Sequence, residues 1–154
     1  MRALWVLPLL ACTESASLQG EWVGTLSCED EEVGAYGLDM TLTLADGKEE
    51  RTALGKLLTF AAYEGYDEAT DVTWPITISR EYEVEAVFKF AEGAQEVQLT
   101  EVCLDVLVIS DGEPVPEMDS CPEVEDEGGV EIVSWDGEDA MAFNHAGCIG
   151  GLVR

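Results

Sequence analysis

Apolar and polar side chains alternate with period two through most of this chain, and helical architectures do not tolerate that pattern. From Leu38 to Leu44 every even position is apolar and every odd one polar. Side chains point to opposite faces along a strand, so such a stretch buries one face and wets the other. Gly20 to Cys28 places Trp22, Gly24, Leu26 and Cys28 on one face. Asp71 to Ser79 does the same with Val72, Trp74, Ile76 and Ile78, while Pro75 faces the other way and marks an edge or a bulge. Tyr82, Val84, Ala86, Phe88 and Phe90 then alternate with Glu81, Glu83, Glu85, Val87 and Lys89. The short join Ser79-Arg80-Glu81 predicts a hairpin between these two stretches.

Other stretches are less regular. Gly55 to Tyr63 is apolar on both faces and reads as a strand, with a short helix from Glu49 to Leu58 as the alternative. Gln95 to Ile109 is long enough to bend. Val97 and Leu99 share one parity there, whereas Val102, Leu104, Val106 and Val108 share the other, so a bulge is expected near Thr100. Ala45-Asp46-Gly47-Lys48 and Asp136-Gly137 are tight-turn signals, the second joining Val130–Trp135 to Ala140–Asn144. Ile149 to Arg154 adds a last strand. The expected fold class is all-β, a single antiparallel barrel or sandwich of about eight strands.

Charge narrows the partners. The 154 residues hold 33 Asp and Glu against 7 Lys and Arg, a net charge of −26. Phosphate backbones are held by clustered Lys and Arg, so a nucleic-acid partner is excluded. With 47% hydrophobic residues the chain can bury a core, and the acidity describes the surface of a folded body.

The first residues, Met1 to Cys12, carry one Arg, then an apolar run, then a small residue before a cysteine. This is the layout of an export signal, and the run falls short of the roughly 20 apolar residues that span a membrane. Leu9-Leu10-Ala11-Cys12 resembles the lipobox of bacterial lipoproteins, which implies cleavage before Cys12 and lipid attachment to its sulfur. The expected organisation is a signal peptide over 1–11, a small polar tether over 12–19 and a β-barrel domain over 20–154. Thr13, in place of the Asp that retains many lipoproteins at the inner membrane, implies an outer-membrane location under the family's sorting rule. Attachment to the membrane is then through the lipid anchor.

Four cysteines remain: Cys28, Cys103, Cys121 and Cys148. In an exported chain an even set reads as two disulfides, with three connectivities open. Cys103 with Cys121, closing an acidic loop, and Cys28 with Cys148, tying the first strand to the last segment, are favoured. The close C-x2-C pairs of a zinc site do not occur.

Gly20-Glu21-Trp22 opens the first strand and resembles the G-x-W motif of lipocalin-type barrels. The resemblance implies an up-and-down barrel whose Trp closes the base, with Arg154 packed across it. Tyr and Asp do not recur here as that family's T-D-Y motif. A barrel of this size is either filled by side chains or holds one small ligand. In the second case Trp22, Trp74, Phe88 and Phe90 are the expected lining of a site for a small apolar ligand.

Signals for chemistry are sparse. The acids of the strands fall mainly on polar faces, away from the paired geometry of glycosidases. His145 is the only histidine and no G-x-S-x-G accompanies it, so neither a catalytic residue nor a cofactor is assigned and the chain is read as no enzyme. The acidic loop from Asp111 to Glu127 offers Asp119, Glu125, Asp126 and Glu127 as weak calcium candidates without an EF-hand spacing. The expected function is that of an exported envelope protein holding a small ligand. The alternative is an interaction lipoprotein with a packed core, whose acidic loop meets a cationic protein partner or calcium.

Overall fold

The computed structural model describes residues 17–91, 94–121, 129–145 and 148–154. The expected signal, tether and lipidation site at Cys12 lie outside the described residues, as do Glu125, Asp126 and Glu127 and the side chains of Phe90 and His145.

Among the described residues nine antiparallel strands follow one another: β1 Gly20–Asp30, β2 Gly34–Asp46, β3 Thr52–Asp67, β4 Val72–Ala91, β5 Ala94–Ser110, β6 Glu113–Pro114, β7 Gly129–Trp135, β8 Ala140–His145 and β9 Cys148–Val153. Their order in the sheet is β4-β3-β2-β1-β9-β8-β7-β5-β6, and an additional β4–β5 pairing closes the ring. The result is an eight-strand up-and-down barrel, with the two-residue β6 hanging outside on β5. Closure removes the sheet edges that a sandwich of the same strands would leave open.

The alternation resolves as expected for most strands. Trp22, Leu26 and Cys28 of β1 and Met40, Leu42 and Leu44 of β2 face a single core with Leu57, Val84, Val97, Leu99, Val133, Met141, Phe143 and Leu152. The outer wall carries exposed Glu21, Asp39, Lys56, Glu83 and Glu85. An apolar inside and a charged outside invert the arrangement of a membrane-spanning barrel. Among the described residues no helix is long and apolar enough to cross a membrane.

Three local expectations are corrected. No hairpin forms at Ser79-Arg80-Glu81: β4 runs unbroken for 20 residues, pairing with β3 and β5 through that point. Those three residues carry none of the Gly, Pro or Asn that a turn demands, and the apolar parity never switches between Val72 and Phe88. The bulge in β5 sits at Leu104, not Thr100. Tyr82 pairs with Cys103 and Glu81 with Asp105, which leaves Leu104 unopposed. Val102 and Leu104 therefore point outward, at 52% and 48% exposure, and only Val106 and Val108 turn in. The helix alternative at Glu49–Leu58 gives way to β3, which begins at Thr52 after a turn closed by Gly47 N–H on the Thr52 carbonyl.

Both disulfides have the favoured connectivity, Cys28–Cys148 and Cys103–Cys121. Cys28 and Cys148 stand opposite each other in the β1–β9 ladder, so the bridge fastens the seam where the first and last strands close the barrel. Disulfides form and persist in oxidising compartments, which indicates an exported location. Pro75 lies where β4 has outrun β5, whose last pairing is Ile76 with Ser110, so the edge expected from it is present.

Candidate functional site

The two ends of the barrel differ. At one end Leu18 and Trp22 are fully buried, and the Trp22 indole N–H donates to the Leu18 carbonyl at 2.9 Å. Arg154 crosses beneath, its Cζ 4.6 Å from the Trp22 ring centroid. Its Nη1 donates to the Ser17 and Gln19 carbonyls and its Nη2 to that of Glu138, at 2.9, 2.8 and 2.7 Å. Gly20 has φ +141°, and a Cβ there would stand 2.7 Å from Arg154 Cδ. The glycine of the G-x-W tripeptide thus suits a backbone that other residues rarely adopt, and it leaves room for the arginine that covers the tryptophan. This end is plugged.

Packing fills the interior above the plug. Phe88 meets Trp135 edge-on with ring centroids 5.4 Å apart, and Phe143, Met141 and Leu152 complete the layer. Of the residues expected to line a ligand cavity, Trp22 and Phe88 belong to this packed region. Trp74 lies on the β3–β4 extension beyond the barrel, where its ring covers Gly65 so closely that a Cβ would be 2.6 Å away.

Toward the opposite end the filling stops. A chamber of about 120 Å³ is lined on one side by Leu26, Leu38, Met40 and Leu57, and on the other by Tyr82, Glu101 and Glu131, with Thr59 and Arg80 toward its mouth. Trp22, Trp74 and Phe88 are not among its lining residues. Tyr36 and Tyr63, one step further along β2 and β3, bring their rings within 5.9 Å of each other.

The two carboxylates are placed by strand parity. Glu131 pairs with Leu99 and Glu101 with Gly129, so they stand one step apart on the inner face of neighbouring strands. Glu131 is only 8% exposed, and burial pushes its carboxyl up to about 7. Near neutrality such a group is close to half protonated and can donate or accept a hydrogen bond. Both are inward acids, against the general expectation that the strands put their acids mainly on the polar face. A switch placed at Leu104 keeps Glu101 on the inner parity of Val97 and Leu99, and the company of Val133 and Trp135 marks Glu131.

The described half of the acidic loop has a structural task. Beyond Glu101, β5 has no β7 partner, and the loop folds back along that exposed edge. β6 pairs with Ile109 and Ser110, Val115 N–H donates to the Val108 carbonyl, and Val108 N–H donates to Asp119 Oδ1 at 2.6 Å. Cys103–Cys121 fastens the fold-back. Asp119, a calcium candidate by sequence, is thus spent on covering a strand edge. Among the described residues no three His, Cys, Asp or Glu side chains are grouped closely enough to hold a metal ion.

At the chamber end Glu29 and Asp30 finish β1, Glu31 and Glu32 lie in the turn to β2, and Asp111 and Glu113 follow β5, so this rim is acidic. Cations are drawn to such a rim. No protein-family profile, curated protein or solved structure matches this chain, so the barrel and its chamber stand on the chain's own residues.

Proposed function

We propose that this protein is an exported, lipid-anchored, non-catalytic barrel of the cell envelope, lipocalin-like in construction, which holds one small ligand in its open-end chamber. The carrying observation is the chamber itself: an aliphatic wall facing two carboxylates, beside a buried core built on Trp22, Leu42, Val97 and Leu99. At about 120 Å³ it is near the size of engineered cavities of about 150 Å³ that take up benzene, and too small for a lipid tail. The ligand that suits it has a compact apolar body and one hydrogen-bond-donating or cationic head directed at Glu131 and Glu101. The lipobox at Cys12 and Thr13 supports anchoring at the outer membrane, and the clasp of Arg154 on Trp22 supports the lipocalin-like construction.

Native mass spectrometry of the protein from its own envelope tests this reading. A small mass that leaves on denaturation, and is missing when Thr59→Phe fills the chamber, is expected. A lipidated polypeptide with nothing bound, in the wild type and the variant alike, overturns the ligand and leaves the interaction protein. That second reading is favoured by how completely the rest of the core is packed, with Trp22, Leu42, Val97, Leu99 and Leu152 all at 0% exposure.

A further inference from the structure

The outer wall carries another concavity, which adjoins the mouth of the chamber and shares Thr59 and Arg80 with it. β3 turns Leu58 and Phe60 outward at 48% and 45% exposure, and β5 turns out Leu107 at 39%. On β4 between them stands a serine, since Phe60, Ser79 and Leu107 form one register row across three strands. A small side chain between two large ones leaves a hollow. The next row, Leu58, Glu81 and Asp105, continues it, and Asp39 and Thr41 of β2 close its near side. The groove measures about 320 Å³, within the range of roughly 300–1,000 Å³ typical of ligand sites. It crosses β2 to β5, about 14 Å at ordinary strand spacing, which is the reach of four or five residues of extended chain.

Charge selects the occupant. Asp39, Glu81 and Asp105 rim the groove against one cation, Arg80, so its charged lining is acidic by three to one, and Glu83 and Glu85 continue along the outer face of β4. Lys56 already pairs with Glu81, and the side-chain hydrogen bond to Glu81 and the charges of Glu81 and Glu83 hold its amine above the ordinary lysine value, so this wall accepts a cation. With a net charge of −26 the chain repels a second copy of itself and anionic headgroups alike. An apolar floor within a carboxylate rim complements a polypeptide that alternates basic and apolar side chains. Phe60 and Leu107 provide the anchors; the carboxylates fix register and speed the encounter.

We infer that this groove docks a basic, apolar-alternating peptide segment of a partner protein. The inference rests on the interaction reading, not on the chamber, and it moves the partner's site from the acidic loop to the barrel wall.

Fluorescence anisotropy of the full chain with the labelled peptide Lys-Leu-Lys-Phe-Lys tests it, beside a version with Ser in place of Leu and Phe. Binding of the first peptide is expected to weaken about tenfold in Phe60→Ser and in Leu107→Ser, the size of an interface anchor's loss. Asp105→Asn should weaken it and flatten its salt dependence, and the serine peptide should bind about tenfold more weakly. Ile132→Ser, at a 63% exposed site on the outer face of β7, should change nothing. Equal loss in Ile132→Ser, or equal binding of the serine peptide, reduces the effect to bulk charge; the groove then falls while a cationic partner stands. No binding of either peptide to the wild type removes both.

Discussion

The guanidinium of Arg154 covers the indole of Trp22 at 4.6 Å, joining residues at opposite ends of the domain sequence. The contact does more than shield an aromatic face. The same guanidinium ties the Ser17 and Gln19 carbonyls before β1 to the Glu138 carbonyl and the Asp139 carboxylate of the β7–β8 turn. One side chain thus gathers three separate segments around the plugged end.

Arg154→Ala should therefore destabilise the barrel by about 3 kcal/mol, the sum of a partly desolvated cation–π contact and the lost carbonyl bonds. Arg154→Lys should recover little, since an ammonium cannot reach several carbonyls in a fixed fork. Urea denaturation followed by tryptophan fluorescence reads both. A loss in Arg154→Ala indistinguishable from zero would make the clasp ornamental.

The two disulfides should differ in what they contribute. Cys28–Cys148 spans 120 residues and Cys103–Cys121 spans 18. Loop entropy assigns them about 5 and about 3 kcal/mol. Replacing the first pair with Ser should lower global stability and loosen the short β1–β9 seam; replacing the second should chiefly free the loop along β5. Denaturant midpoints with hydrogen exchange at the seam distinguish them. Equal global losses would show that the fold-back is integral to the barrel.

Legibility followed parity. β1 and β2 are plain in the sequence because one face of each is wholly apolar down to the Cys28 seam. The break placed after Ser79 comes from reading a short polar join as a turn, although the apolar even positions, interrupted only by Arg80, keep the same parity from Val72 to Phe88. Phe60 and Leu58 made β3 ambiguous for a physical reason: they floor an outer groove, so both faces of that strand are apolar. The chamber was hidden because its carboxylates lie on inward positions next to apolar ones. Only the register of β5 on β7 shows Glu101 and Glu131 to be neighbours. By contrast, the plugged end was visible in three residues, Gly20, Trp22 and Arg154, because the three meet there.

Asp119 should behave as a local fastener. Asp119→Ala leaves the Val108 amide without its acceptor and costs about 1–2 kcal/mol. Exchange protection at Val108 and its neighbours in β5 should drop more than in β1 or β2, and the uncovered edge should favour aggregation. Unchanged protection at Val108 would assign the edge cover to the disulfide alone.

Glu131 should make stability fall with pH in a defined window. Its folded value of about 7 lies above the ordinary 4.5 of the unfolded chain, with burial as the cause. Below pH 4.5 both states hold the proton and the group costs nothing. As pH rises from 4.5 to about 7 the unfolded chain gives the proton up while the folded barrel retains it, so unfolding becomes easier. Above that range both states are ionised and the penalty levels off, on the order of 3 kcal/mol. Glu131→Gln keeps the shape and removes the titration, while Glu101, Tyr82 and Arg80, which also face the chamber, are present in both proteins. The variant should match the wild type at pH 4 and exceed it at pH 8, as measured by urea titrations at each pH. Curves that stay parallel across the window would mean that the buried carboxyl ionises as freely in the barrel as in the unfolded chain.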